Sequence, residues 1–284
     1  MIQDIAPKEF HNEFICRLPV DTDYVIAFYD NKLLMKDNHP ITIADYKNLG
    51  FTTEEHLQYL IRVDEVAFYL LEDTNIIDLG ECHWESTQFI RGYEPQWMSY
   101  AMITCIQLAN WYAKRKYCGA CATPMEKSKM ERAMVCPKCG NIEYPKICPA
   151  VIVAIVDGDR ILMSHYAGRV YKKYALLAGF MEIGEDFEMT IRREVMEEVG
   201  LKVKNITYYK SQPWAFTDTV LAGFYCQLDG SDKIKLDEFE LHDAQFIKRE
   251  DMVKADKDIS LTAQMIEAFR SKTYPMYEEW ERKE

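Results

Sequence analysis

From Gly179 to Leu201 the chain reads Gly-Phe-Met-Glu-Ile-Gly-Glu-Asp-Phe-Glu-Met-Thr-Ile-Arg-Arg-Glu-Val-Met-Glu-Glu-Val-Gly-Leu. Glu194, Glu197 and Glu198 stand at i, i+3 and i+4, so on a helix of about 3.6 residues per turn their carboxylates share an arc of about 100°. Like charges that close need cations. Hard oxygen donors suit Mg²⁺ or Mn²⁺, ions that bridge phosphate oxygens and lower the pKa of bound water, as diphosphate hydrolysis requires. Arg193, beside the acids, is expected to pair with Glu185 or Glu197 and fix their orientation.

Such a cluster has to be positioned by a loop, a helix and a second loop. Gly179 and Gly184 offer unusual backbone angles, residues 186–199 are good helix formers, and Gly200 closes the run. Phe187, Ile191, Val195 and Val199 form an apolar stripe that predicts docking on a sheet. A glutamate-rich helix is ordinarily a solvated face, but charge density does not require two glycines and an arginine at fixed spacing. The segment fills every fixed position of the pattern GX5EX7REUXEEXGU, with U a bulky aliphatic residue, and in this the chain resembles the Nudix hydrolases.

Cys118-Gly-Ala-Cys121 and Cys136-Pro-Lys-Cys139 are paired CxxC knuckles, with Gly119 and Gly140 nearby. Four thiolates enclose one tetrahedral Zn²⁺ and leave no open position, so this reads as a structural zinc site. Of nine cysteines, the other five, Cys16, Cys82, Cys105, Cys148 and Cys226, are scattered, which argues against a secreted disulfide framework. Most are expected to be buried small hydrophobes.

A chain of 284 residues that is 48% hydrophobic can hold two domains and a small metal module. The expected class is α+β: an α/β/α sandwich at 148–275, preceded by a zinc ribbon at 114–147 and an α+β domain at 1–113, with a tail at 276–284. Strands are expected at Tyr24–Tyr29 and Lys32–Met35 around an Asp-Asn turn. Further strands are expected at Ala150–Val156, Ile161–His165, Tyr174–Ala178, Tyr208–Trp214, Val220–Leu228 and Ala244–Lys248. Helices are expected near 97–114 and at Leu261–Phe269. Residues 95–113 lack charge, yet Gln96, Ser99, Thr104, Gln107 and Asn110 interrupt them, as in a packed helix rather than a membrane span. The first fourteen residues carry Asp4, Glu9 and Glu13 and no continuous apolar stretch, so a cytoplasmic location is expected.

Beyond the acidic segment lies Ser211-Gln-Pro-Trp-Ala-Phe-Thr-Asp-Thr219. It resembles the SQPWPFPxS array of the NADH pyrophosphatase branch of the Nudix hydrolases, whose bacterial members also remove NAD caps from RNA. The order of N-terminal domain, four-Cys ribbon, Nudix domain and array is the same, and the resemblance spans about 70–270. Ala215 and Thr217 replace prolines of the pattern, and Thr219 replaces serine, which loosens the loop.

The resemblance implies that the Ala178 carbonyl, Glu194, Glu198 and Glu240 hold divalent metal, and that Glu197 assists metal binding or water activation. It implies dinucleotide contacts from Glu131, Tyr144, Phe180, Thr262 and the array residues Gln212, Pro213, Trp214, Ala215, Phe216, Thr217, Asp218 and Thr219. Tyr144 or Phe180 would stack on a base, and two subunits would share the site in a homodimer. The implied reaction is metal-dependent hydrolysis of NAD(H) to AMP and nicotinamide mononucleotide, or cap removal from NAD-capped RNA. Either Glu197 or Glu240 suits the general base. His83, His165 and His242 read as structural.

A net charge of −12 gives no general attraction to nucleic acid. Locally, Lys114, Arg115, Lys116, Lys127, Lys129, Arg132, Lys138 and Lys146 form a basic stretch that suits the RNA of a capped transcript. Two other readings stand beside this one: a Nudix hydrolase for ADP-ribose or another dinucleotide, and a zinc-ribbon regulator that binds a nucleotide without cleaving it.

Overall fold

A computed structural model describes residues 1–51, 56–72, 80–166, 174–254 and 259–281. Of the expected tail, 282–284 lie outside the described residues. The chain falls into two units, Ile2–Lys146 and Ile147–Glu284 with Met1.

In Ile2–Lys146, β1 (Phe10–His11), β2 (Tyr24–Ile26), β3 (Phe28–Tyr29), β4 (Lys32–Lys36) and β5 (His39–Pro40) precede α1 (Ile43–Asn48). Then come β6 (Leu57–Val63), β7 (Val66–Leu71), β8 (His83–Ser86) and α2 (Gln96–Lys114). One sheet has the order β1-β6-β7-β2, and a second joins β3, β4 and β5 with β8. The Asp-Asn turn is present: Asp30 and Asn31 have φ of 47° and 57°, a left-handed pair that these two residue types tolerate. Met98, Ala101, Met102, Cys105 and Ala109 of α2 are buried, and among the described residues no helix is long and apolar enough to cross a membrane. The ribbon follows as β9 (Glu126–Lys127), β10 (Met134–Val135) and β11 (Ile142–Glu143), with β10 central.

In the second unit the apolar run 150–156 can be stable only if both faces of its strand are covered. It forms the core of β12 (Cys148–Asp157), after which come β13 (Arg160–Tyr166), β14 (Leu177–Phe180), α3 (Phe187–Val199), β15 (Val203–Trp214) and β16 (Thr219–Leu228). The chain then continues through β17 (Leu241–Lys248), α4 (Leu261–Arg270) and α5 (Tyr277–Glu281). The sheet order is β15-β16-β12-β13-β17, with β14 also on β12, and β12 pairs β16 in parallel.

Because side chains alternate along a strand, β12 feeds two cores. Val151, Val153 and Ile155 pack with Ile191, Val195 and Val199 of α3, and Ile152, Ala154 and Val156 pack with Leu261, Met265 and Phe269 of α4. The expected α/β/α sandwich is the result. Three strands of this unit differ from expectation by three residues or more at one end. β14 begins at Leu177 rather than Tyr174 and runs on through Gly179 and Phe180, because these residues pair with Val151 and Ala150. β15 begins at Val203, and bulges between Lys204 and Thr207 and between Tyr208 and Lys210 break the alternation that would have revealed it. β17 begins at Leu241, where Tyr166 is its partner across a bulge.

Candidate active site and metal centre

Asp186 caps α3 by accepting the Met189 amide at 2.7 Å, and Gly200 ends it at φ 67°. The helix therefore presents the acids at the predicted spacing, but burial sorts them. Glu198 and Glu194 are 2% and 9% exposed, whereas Glu197 is exposed. Burial, then the charges of Glu194, Glu240, Asp237 and Glu197, push the Glu198 carboxyl up to about 8, and burial likewise raises Glu194. The Glu198 Oε2 is buried without a hydrogen-bond partner.

Arg193 bonds several groups at once. It donates to Glu185 at 2.6 and 2.9 Å, to Glu194 at 2.8 Å, to Glu197 at 3.1 Å and to the Phe180 carbonyl at 3.0 Å. Pairing with Arg193 holds the Glu185 carboxyl down at about 2. The hydroxyl of fully buried Thr190 adds a 2.8 Å bond to Glu185, a support that its polar character alone did not reveal. Both expected partners of Arg193 are thus present, together with Glu194 and the strand that carries Phe180.

Gly179 serves space rather than backbone freedom, which corrects the reading of it as a loop residue. It lies in β14, and a Cβ there would stand 1.9 Å from the Glu194 carboxyl carbon and 2.1 and 2.3 Å from its oxygens. Gly184, at φ 94°, does need a left-handed backbone. Beyond the helix, the Asp237 amide donates to the Glu198 carbonyl at 2.9 Å, and the exposed Glu240 lies close enough to raise Glu198 and Glu194. Asp237 was not anticipated; its only sequence signal is its place shortly before Glu240.

These residues fit a divalent cation. A buried Glu198 oxygen lacking a donor, beside the buried Glu194 whose pKa is raised as well, is what a hard cation would satisfy. The donors available are Glu194, Glu198 and Glu240, with Ala178 in β14 adjoining Gly179.

The array occupies the end of β15, a 3-10 turn at Ala215–Thr217 and the start of β16. Trp214 and Phe216 are half-buried with ring centroids 4.9 Å apart. Gln212 is fully buried: its amide donates to the Ile259 carbonyl at 2.8 Å and accepts from the Leu261 amide at 2.7 Å, tying the array to the start of α4, one residue before Thr262. Pro213 and Thr217 are exposed, and Ala215 is half-buried. Asp218 has φ 57°, and the Thr217 and Thr219 hydroxyls are 2.7 Å apart, so hydroxyl bonding closes the turn where the pattern has proline.

In the ribbon the Cys118, Cys121, Cys136 and Cys139 sulfurs all lie within 4.8 Å of one another. Sulfur separations of 3.6 Å (118 to 139), 3.5 Å (121 to 136) and 3.6 Å (121 to 139) match the edge of about 3.8 Å that Zn–S bonds of about 2.3 Å give a tetrahedron. The Ala120 and Cys139 amides point at the Cys118 and Cys136 sulfurs. Each knuckle closes on a left-handed residue, Ala122 at φ 58° and Gly140 at φ 75°. Ala122, not Gly119, is thus the counterpart of Gly140. In the same unit the Tyr144 hydroxyl donates to Glu131 at 3.1 Å, and the Tyr144 side chain is exposed. As expected, Cys82, Cys105 and Cys226 are buried, whereas Cys16 is exposed and Cys148 half-buried.

A family model described as the NUDIX domain matches residues 146–269. Residues 146–269 thus form a Nudix domain. Ahead of its Nudix domain, residues 113–144 match a model described as the NADH pyrophosphatase zinc ribbon domain. A relative from Salmonella schwarzengrund (strain CVM19633), "NAD-capped RNA hydrolase NudC", is 42% identical over 147 residues, 52% of this chain and 57% of the relative. The protein of that name from Salmonella typhi matches with the same figures. This chain therefore spans about 57% of the length of the curated relatives it matches. A solved NUDIX hydrolase from Nitrosomonas europaea is 21% identical and aligns over 55% of this chain and 91% of its own, with a TM-score of 0.48.

Proposed function

We propose that this Nudix protein hydrolyses the pyrophosphate of NAD(H) to AMP and nicotinamide mononucleotide, and removes NAD caps from RNA to leave a 5′-monophosphate. The observation that carries the reading is the carboxylate cluster of α3, in which a Glu198 oxygen is buried without a protein partner. The substrate class draws support from the array and from relatives named for hydrolysis of NAD-capped RNA. Mg²⁺ or Mn²⁺, held by the Ala178 carbonyl, Glu194, Glu198 and Glu240, would neutralise pyrophosphate charge and acidify the attacking water.

The chain's own residues do the rest. Glu197 or Glu240, both exposed, takes the proton from the water. Arg193 fixes Glu194 and Glu197 through direct bonds, so neither has to be ordered during the reaction. Trp214 and Phe216, or Phe180, offer aromatic faces to a base, and Thr262 and the remaining array residues line the dinucleotide, while Tyr144 and Glu131 are contacts that the family resemblance alone implies. Gln212 acts by holding the array to α4, since its amide is engaged there. The active form in this reading is a cytoplasmic homodimer.

The RNA of a capped transcript would follow the ribbon surface. Of the eight basic residues there, Arg115 pairs with Glu143, Lys127 with Glu72, and Arg132 donates to backbone carbonyls. The exposed Lys114, Lys116, Lys129, Lys138 and Lys146 then make up the guiding surface.

The test is chromatographic analysis of NADH, ADP-ribose and NAD-capped RNA incubated with the protein or its Glu198→Gln variant in Mg²⁺ or Mn²⁺. The expected result is AMP with reduced nicotinamide mononucleotide from NADH and monophosphate RNA from the capped transcript, all lost in the variant. Cleavage of ADP-ribose alone would overturn the substrate, and metal binding without any cleavage would leave a nucleotide-binding regulator.

A further inference from the structure

Away from the carboxylate cluster, the Ile2–Lys146 unit contains buried hydrogen-bond donors with nothing to receive them. Tyr59 of β6 is 5% exposed. Its hydroxyl, Nη1 of Arg17 and Nε of Arg132 are all buried and without a hydrogen-bond partner. The three belong to one neighbourhood: Arg132 donates to the carbonyl of Leu60, the residue after Tyr59, and Tyr69, whose ring meets that of Tyr59, donates its hydroxyl to the Arg17 carbonyl.

The remaining bonds of these side chains hold them in place. Arg17 directs Nη2 at fully buried Asp23, 3.4 Å away. Its carbonyl accepts the Tyr69 hydroxyl at 3.1 Å, and the Tyr69 ring stands edge-on to Tyr59 at 5.7 Å. Arg132 crosses from the ribbon to donate to the Asn12 carbonyl at 3.0 Å and to the Leu60 carbonyl. Arg62 pairs with Glu13 at 3.3 Å. Charge therefore does not balance: Arg17 has Asp23 and Arg62 has Glu13, but among the described residues Arg132 meets only carbonyl oxygens.

A water molecule accepts two hydrogen bonds and would bring two hydrogens of its own into a field of guanidinium groups. One small anion accepts from all three donors and cancels the residual positive charge. We propose that Tyr59, Arg17 and Arg132 bind a single halide-sized monovalent anion that fastens segment 12–17 and the ribbon's Arg132 onto β6. The site is independent of the pyrophosphatase reading, because none of its residues belongs to the carboxylate cluster or to the array.

The test uses the full chain with bromide and chloride as probes. Crystals soaked in bromide should show an anomalous peak touching the Tyr59 hydroxyl, Arg17 Nη1 and Arg132 Nε. In solution, replacing gluconate by chloride at equal ionic strength should raise the melting temperature saturably by about 2–4 °C, as a ligand specific to the folded state does. The rise should vanish in Arg132→Gln and shrink in Tyr59→Phe. An ordered water in place of the peak overturns the proposal, as do bromide at the surface only, which is an adventitious ion only, and equal melting in the two salts. The wild-type crystal decides the matter even if a variant fails to fold.

Discussion

In the ribbon, four sulfurs from two short knuckles lie within 4.8 Å of one another and fill every position around one tetrahedral ion. In the Nudix domain, the acids come from α3 and the loop before β17, and they divide into the buried Glu194 and Glu198 and the exposed Glu197 and Glu240. Both clusters gather groups that become like charges when ionised. The thiols close around a cation and leave no place for a reactant, so that site can only stabilise. Two of the carboxylates face solvent, which in the proposed reading would leave a bound cation open to water and substrate. Closure against openness, rather than ligand charge, separates the structural centre from the one proposed for chemistry.

The largest expected effect tests the closed site. Cys136→Ser should abolish zinc binding, measured as metal per chain, and melt the ribbon, because metal-binding free energies of about 10–16 kcal/mol are at stake in such modules. Full zinc retention would break the comparison. Next, Glu198→Gln should lower kcat by about 10²–10³-fold, as loss of a group that stabilises transition-state charge does. Glu198 is pushed up to about 8, above its unfolded value, so near neutral pH and without metal the fold must keep it protonated while the unfolded chain ionises it, which costs stability. The metal-free variant should therefore melt no lower than the parent; a collapse in stability would make Glu198 a structural residue like the cysteines.

Gly179→Ala sharpens the comparison from the side of space. The added methyl must displace the Glu194 carboxylate, and a misplacement of about 1 Å is expected to cost about 10²-fold in kcat while the zinc content stays unchanged. The smallest effect belongs to Gln212→Ala, which removes two buried hydrogen bonds to the start of α4. A loss of about 1–3 kcal/mol in denaturant unfolding is expected, with a raised KM for NADH and little change in kcat. A fall in kcat with KM unchanged would instead move Gln212 into the reacting centre.

Much of this was legible because the informative spacings are short. The i, i+3, i+4 acids, the stripe Phe187, Ile191, Val195 and Val199, and the Asp186 and Gly200 boundaries all lie within a single helix, where period and capping act locally. The CxxC knuckles are equally local. What was not legible depended on partners distant in sequence. The extension of β14 needed Val151, the start of β15 was hidden by two bulges, and Ala122 took a left-handed backbone that its side chain gave no reason to expect. Gln212 belonged to a recognisable array, but its role follows from bonds to residues 259 and 261.

The sequence by itself determined the ligand types, their order along the chain, and the division into ribbon and Nudix sandwich, because these follow from residue chemistry and short-range periodicity. Only the tertiary structure decided which glutamates are buried, that Gly179 is a space rather than a hinge, and that Asp237 and Glu240 approach α3. Burial and electrostatic coupling arise between segments that the chain brings together after its local structure has formed, and no local pattern encodes them.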